Sequence, residues 1–290
     1  MATDKQLVDL SVSHKYFVEY LTSQHRAHST ILAYSKDIEQ LVSFLGDLGK
    51  KTISEIERID IEGFLKKLSA DGYTPKSISR KINSIKTFYR FLKNSDSITV
   101  NPAAEITHPK YDVKPPRILS KMEYRALRDA CRGDIRTYAI VELFLQTGIR
   151  IGELANLKVD NVKEKELVVE ALEGHKERTV PLNKAAKTAL VNWLSIRPKS
   201  NDPHLFVTKT GKPLLVRNIR TTIDRYFKIA GIEDAKVNDL RHTFIAHHLA
   251  SGTPLTVISK LVGHKRLSTT EKYLDLVKDK MTEHVKLEEL

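Results

Sequence analysis

The stretch LVGHKRLSTTEKYLDL, Leu261 to Leu276, sets one histidine, His264, nine positions before one tyrosine, Tyr273. Just upstream, Gly252-Thr253-Pro254 opens a helix that carries Leu255, Ile258, Leu261 and Val262 at helical spacing. Gly263 is its natural C′ residue, free to take a positive φ. His264 is thus expected immediately past a helix end, where its ring can point into a site. Ser268-Thr-Thr-Glu271 has the pattern of a capping box and predicts a new helix with Tyr273 in its second turn. A tyrosine near a positive helix terminus stands where a developing phenolate is mildly favoured. Taken alone, Tyr273 reads as packing and His264 as a helix cap, so their meaning depends on what the chain supplies elsewhere.

Composition narrows the partners. The chain has 290 residues and a formal net charge of +12, an excess that points to a polyanion, most often nucleic acid. It lacks the run of about 18 apolar residues needed to span a bilayer. The opening stretch MATDKQLVDLSVSH has no apolar signal core, which gives the expectation of a cytoplasmic protein without a membrane. The single cysteine, Cys131, excludes an intramolecular disulfide and fits a reducing compartment. No Cys/His ligand spacing suggests zinc, so no metal or cofactor is expected.

The pattern along the chain predicts a mainly α protein with small β elements in two domains, 1–105 and 119–290, joined by a linker over 106–118. In the first, Ser29 caps a helix over Thr30–Leu45, a second helix starts near Asp60, and Thr74-Pro75 opens a third that runs to Leu92. Arg80, Lys81, Lys86 and Arg90 decorate that third helix, as a solvated face or as contacts to a DNA backbone. Pro102, Pro109, Pro115 and Pro116 leave no regular period between the domains. The second domain is α+β. Ser120-Lys-Met-Glu123 caps a helix to Cys131, and Ile135–Gln146 is a strongly apolar helix closed by Gly148. Strands at 167–171 and 178–182 flank a turn at Glu173-Gly174, and Asn183 caps the next helix. Leu205–Val207 and Lys212–Leu215 read as a small hairpin around Thr210-Gly211. Asn238 reads as an N-cap with Arg241 in the first turn.

Four segments of the second domain stand out together: Thr147-Gly-Ile-Arg150-Ile-Gly-Glu-Leu154, Asn238-Asp-Leu-Arg241-His-Thr243, Leu261-Val-Gly-His264, and Tyr273. In this order they resemble the tyrosine recombinases, the phage-integrase family, of the Xer-like, transposon or phage kind. The resemblance covers nearly the whole chain. Ser29-Thr-Ile-x-x-Tyr34-x-x-Asp37, Ser77-Ile-x-Arg80 and Phe88-Tyr-x-Phe91-Leu92 look like that family's helical core-binding domain, and Asn101-Pro102 like its exit into the linker. The adjacent pair His247-His248 reads as ordinary helix content, since neighbours on a helix do not face each other.

The resemblance implies site-specific cleavage and rejoining of DNA through a 3′-phosphotyrosyl intermediate, in integration, excision, transposition or resolution of a mobile element or replicon. Tyr273 is then the nucleophile. Arg150 and Arg241 clamp the nonbridging phosphate oxygens with paired N–H donors, and His264 completes the site. Expected partners are double-stranded DNA with a specific recombination site, a homo-tetramer on two such sites, and accessory DNA-bending proteins. The two domains are expected to grip DNA from opposite faces, and 274–290 is expected to act as a partner-exchange segment. Two positions depart from the family's pattern. Glu173 stands where a hairpin lysine usually protonates the leaving oxygen, which leaves Lys176 as the nearest replacement and His175 as a rival. Asn238 stands where histidine is usual; it can donate a hydrogen bond but cannot exchange a proton near neutral pH. These departures keep two alternatives open, a DNA-binding relative impaired in catalysis and a type IB topoisomerase-like activity.

Overall fold

Asp9 accepts hydrogen bonds from the backbone of Ser11 and Val12, and so caps a helix that the sequence pattern does not predict, α1 (Leu10–Ser23). Its inner face is Leu10, Ser13, Phe17 and Leu21, and the buried serine breaks the apolar stripe. The computed structural model describes residues 9–282. They divide into two units, the first reaching Val113 and the second starting at Lys114.

The first unit is helical: α1, α2 (His28–Asp47), α3 (Arg58–Ala70) and α4 (Pro75–Asn94). Ser29 does not cap α2, which starts at His28 after Ala27 with no side-chain cap. Thr74 does cap α4, accepting from the Ser77 amide ahead of Pro75. The core gathers Phe17, Leu41, Phe64, Ile82, Phe88 and Tyr89. Ala103 and Ile106 are buried in it too, so the unit extends past 105, the expected boundary.

Asp37 on α2 is 2% exposed, and its charge is met from α4. Lys81 Nζ donates to it at 2.9 Å, Ser84 Oγ at 2.7 Å, and Arg80 grips both its oxygens. This corrects the reading of Lys81 as a DNA-facing cation: only 6% of it is exposed, because its ammonium neutralises a buried carboxylate. Arg80 keeps an exposed flank while engaged with Asp37. Lys86 donates to the Ala104 carbonyl, and Arg90 is exposed.

The second unit contains α5 (Lys121–Cys131), α6 (Ile135–Thr147), α7 (Ile151–Asn156), β1 (Glu166–Val169), β2 (Arg178–Pro181), α8 (Lys184–Ile196), α9 (Val216–Ile229), α10 (Val237–Ala250), α11 (Leu255–Val262), α12 (Ser268–Glu271) and α13 (Leu274–Thr282). The Ser120–Glu123 capping box and the Asn183 cap form as expected. β1 and β2 pair antiparallel with Leu167 opposite Val180. Their turn has positive φ at both Glu173 and Gly174, the two-residue geometry that suits a twisted hairpin. The stretch 205–215 makes one bridge, Val207 to Pro213, held by the Thr208 amide donating to Lys212 O at 2.8 Å and the Leu214 amide donating to Phe206 O at 3.0 Å, and no longer ladder. Leu276 and Val277 of α13 pack with Phe244, Ile258 and Val262 of their own unit. Val285 and Leu287, and the side chain of Met281, lie outside the described residues. Among those residues, no helix is long and apolar enough to cross a membrane.

α6 is the buried axis of this unit, with Ala139, Ile140, Val141, Leu143 and Phe144 all inside. It ends at Gly148 with φ +59°, and a Cβ there would collide with the Phe244 ring of α10. Gly148→Ala combines that overlap with left-handed strain. It is expected to destabilise the unit by about 2–3 kcal/mol, read as a lower urea midpoint at unchanged slope.

Candidate active site

Ending α6 at Gly148 brings Arg150 to the start of α7 as its N-cap residue. Three positions on, Glu153 turns back: its Oε2 accepts the Arg150 amide at 2.8 Å and its Oε1 accepts Arg150 Nη1 at 2.9 Å. Arg178, the first residue of β2, reaches the same carboxylate from the sheet and donates to both oxygens, at 2.8 and 2.7 Å. Burial alone would raise the Glu153 pKa. The hydrogen bonds and charges of Arg178 and Arg150 outweigh it and hold the group down to about 2.

The same arginines converge on the C-terminal end of α11. Arg178 Nε donates to Leu261 O at 2.7 Å, and Arg150 donates to Val262 O at 3.2 Å and Gly263 O at 2.8 Å. Arg241, on the first turns of α10, donates to Val262 O at 2.6 Å and to Gly148 O. Three guanidiniums thus satisfy the carbonyls that a helix end leaves open, where positive charge is favoured. Arg241 is 4% exposed. Burial, and next the charge of Arg150, lower its pKa to about 9, so it stays charged at neutral pH.

α11 closes as the spacing predicts. Gly263 has φ +65°, its amide donates to Lys260 O at 3.1 Å, and the His264 amide donates to Ser259 O at 3.0 Å. A Cβ on Gly263 would come within 3.0 Å of Arg178 Nη1, so glycine is needed for the close approach as well as the turn. His264 then projects beside Tyr273, with ring centroids 6.5 Å apart and planes 20° apart. Its Nδ1 shares a hydrogen bond with Thr270 Oγ1 at 2.7 Å. Burial, then the charges of Arg241 and Arg150, lower its pKa to about 4, so the ring is neutral at pH 7.

Tyr273 departs from the expected position. The Ser268–Glu271 stretch does not cap a long helix; it is itself the four-residue α12, with Leu267 at its N-cap position and no side-chain cap. The Thr270 hydroxyl faces His264, and the Tyr273 amide turns back to Thr270 O at 3.0 Å. Tyr273 therefore stands in the break between α12 and α13, immediately before the N-terminus of α13. It is 5% exposed, and burial raises its pKa to about 12 against the opposing charge of Arg241. Asn238 is not the N-cap of α10. Lys236 takes that place and the Asp239 carboxylate accepts its amide at 2.8 Å, so Asn238 lies one turn before His242 on the same face. Asn238 Nδ2 is 2.7 Å from His242 Nε2, and His242 Nδ1 is 2.5 Å from Tyr273 Oη.

The structure therefore gathers Arg150, Arg241, His264 and Tyr273, with Asn238 one side chain removed. Lys176 is exposed beyond the hairpin turn. Sequence reasoning missed Glu153, Arg178, His242 and Lys265. Glu153 and His242 lie within quoted motifs but signal nothing as single residues, and Arg178 opens the second expected strand. Lys265 directly follows His264, and its Nζ lies 3.1 Å from a Cβ built on Gly174, over the turn that carries Glu173.

With this geometry in place, comparison with known proteins decides the family. The profile of the phage integrase family matches residues 117–280, and that of the phage integrase N-terminal SAM-like domain matches residues 15–95. The chain belongs to the phage integrase family. It is 32% identical over 273 residues to the tyrosine recombinase XerC of Staphylococcus saprophyticus, covering 91% of this chain and 90% of that protein. It is 32% identical over 258 residues to the XerC of Thermodesulfovibrio yellowstonii, covering 84% of each. Among solved structures, the XerA recombinase aligns over 97% of this chain and 100% of its own, at 27% identity and a TM-score of 0.55. A lambda integrase dimer bound to a COC′ core site aligns over 98% and 80%, at 18% identity and a TM-score of 0.75, a likeness of fold.

Because Glu153 is depressed in the folded unit, its stabilisation is complete above its ordinary value of 4.5 and is lost as pH falls through about 2. Glu153→Gln leaves two arginines without their counter-charge. It is expected to cost about 3 kcal/mol at pH 7. Urea midpoints of the two proteins should converge between pH 4.5 and 2, and a constant difference across that window would reject the assignment.

Proposed function

We propose that Tyr273 cleaves one DNA strand at a specific site and holds it as a 3′-phosphotyrosine until a second 5′-hydroxyl reverses the step. The observation that carries this reading is the placement of Tyr273 and His264 beside two arginines that keep N–H donors to spare. A guanidinium has five. The bonds described above use three on Arg150 and two on Arg241. The remainder can receive the nonbridging oxygens of a phosphodiester, where charge grows as phosphorus is attacked. With Thr270 donating to His264 Nδ1, the His264 Nε2–H is a further donor to phosphate.

In the step itself the Tyr273 Oη–P bond forms and the P–O5′ bond breaks. The phenolic proton passes to water, and the leaving O5′ takes a proton from Lys176. Phosphodiester energy is conserved in the new ester, so rejoining needs no ATP. A specific observation supports a second donor: the Lys265 ammonium lies over Gly174, beside the turn where Glu173 replaces the family's usual lysine. Arg80, Lys86 and Arg90 are proposed to face the DNA backbone from the helical unit.

The working unit is proposed to be four copies on two sites, supported by the fold shared with a lambda integrase tetramer bound to a Holliday junction (20% identity, TM-score 0.75). Accessory DNA-bending proteins are proposed as further partners. The reaction is assigned to the cytoplasm, on nucleoid DNA.

The test uses a nicked duplex carrying a site that the protein itself selects from random sequence. Wild type is expected to form a covalent adduct that resists denaturant, and Tyr273→Phe none. Binding without an adduct in wild type would instead mark a DNA-binding relative.

The acid is identified with the same duplex carrying sulfur in place of the scissile O5′, a leaving group that needs no proton. Loss of the acid should slow cleavage of the ordinary duplex by about 10²–10⁴ fold and leave the sulfur duplex within about tenfold of wild type. Lys176→Ala and Lys265→Ala are compared, and the variant showing this pattern names the acid.

A further inference from the structure

Among the described residues, His242 is the one that hydrogen-bonds Tyr273 Oη, and both its ring nitrogens are engaged. Asn238 Nδ2 lies 2.7 Å from Nε2, and Tyr273 Oη lies 2.5 Å from Nδ1. An amide nitrogen only donates, so Nε2 must accept. Burial lowers the His242 pKa, with Asp239 opposing and Arg241 adding to the effect, so the ring favours its neutral form at pH 7. A neutral imidazole whose Nε2 accepts carries its single proton on Nδ1. That proton then points at the tyrosine oxygen.

We infer that Asn238 fixes His242 in its Nδ1-protonated tautomer, and that His242 donates its hydrogen bond to Tyr273 Oη and so favours the phenolate at the nucleophile. The inference rests on Tyr273 being the nucleophile and assigns what prepares it. A donor to an oxygen stabilises that oxygen most when it is charged. Burial works the other way and raises Tyr273 to about 12. The charged and titratable groups around the phenol are Arg241 and His242 from α10 and His264 from the turn after α11.

Two consequences follow. His242 is a donor and not the base, because Nδ1 already carries a proton. Asn238 is a positioning residue that acts through His242, so its replacement of a histidine keeps the one property the relay needs, an N–H directed at Nε2. The spacing fits, since residues 238 and 242 are one helical turn apart on α10.

The tautomer can be read on the free full-length protein by two-bond proton–nitrogen correlation of ¹⁵N-labelled histidines, with His242 assigned by its loss in His242→Asn. Wild type should show Nδ1–H. Asn238→Ala should raise the Nε2–H form, because nothing then donates to Nε2. A wild-type ring protonated on Nε2, or one unchanged in Asn238→Ala, overturns the inference whatever happens with DNA.

Adduct formation on the nicked duplex described above supplies the second measure. His242→Phe should slow it by about tenfold or more, the loss of one hydrogen bond to a charged group. His242→Asn has no basicity but places an N–H donor where Nδ1 stood, and should remain within about threefold of wild type. If His242→Asn is as slow as His242→Phe, His242 acts as a base and the donor assignment fails. Absence of any wild-type adduct would count against Tyr273 as nucleophile and leave the tautomer measurement standing.

Discussion

One buried carboxylate and one helix end organise this site. Glu153 takes two guanidiniums on its two oxygens, and the last carbonyls of α11 take three. Each part would be costly without the others. A buried carboxylate without partners would neutralise, and helix carbonyls without donors would lose the water they gave up. The arginines that meet these needs come from α7, β2 and α10, so the carboxylate and the helix end fasten three elements far apart in sequence. Much of what prepares the site for phosphate therefore also holds the unit together.

The same fastening fixes Tyr273. α11 has to stop where its carbonyls meet the arginines, and Gly263 is the residue that allows both the left-handed turn and the close approach of Arg178. The turn sets the direction of His264. His264 takes the Thr270 hydroxyl, and Thr270 O takes the Tyr273 amide. A chain of short contacts thus runs from Glu153 to Tyr273 without depending on a long helix. This explains how a four-residue α12 can still place the phenol with definition.

How much of this was legible in the sequence depended on whether the signal was local. The cap at Thr74, the box at Ser120, the end of α6 at Gly148 and the turn at Gly263 are written in adjacent residues, and they form as read. α1 was missed because buried Ser13 interrupts its stripe. The Ser268 box failed because Ser268 is itself the first residue of the four-residue α12, with Leu267 at the N-cap position. Arg150, Arg241, His264 and Tyr273 were legible only as an ordered set that resembles a family. Glu153, Arg178 and His242 were not legible, because their roles depend on partners 25 to 83 positions away. The charges on α4 misled for the same reason: Lys81 looks like a surface cation until Asp37, 44 residues earlier, is placed beneath it.

The charges of the assembled site explain why Tyr273 can rest protonated inside it. Three guanidiniums against one carboxylate leave two positive charges in a largely buried space, with His264 neutral and Tyr273 protonated. An uncompensated buried charge favours whatever anion can reach it. A phosphodiester brings one negative charge and leaves one positive charge unmatched. In the proposed reaction, attack by the phenolate adds a further negative charge in the transition state, and the remaining positive charge meets it. Without DNA, burial keeps Tyr273 as phenol. With DNA in place, the bound phosphate excludes water, and the arginines act through a lower dielectric on the charge that develops. The hydrogen bond from His242 lowers the same barrier from the other side of the oxygen. On the proposed reading, phosphate binding and nucleophile activation are two sides of one electrostatic imbalance, set by having three arginines and one glutamate at the end of α11.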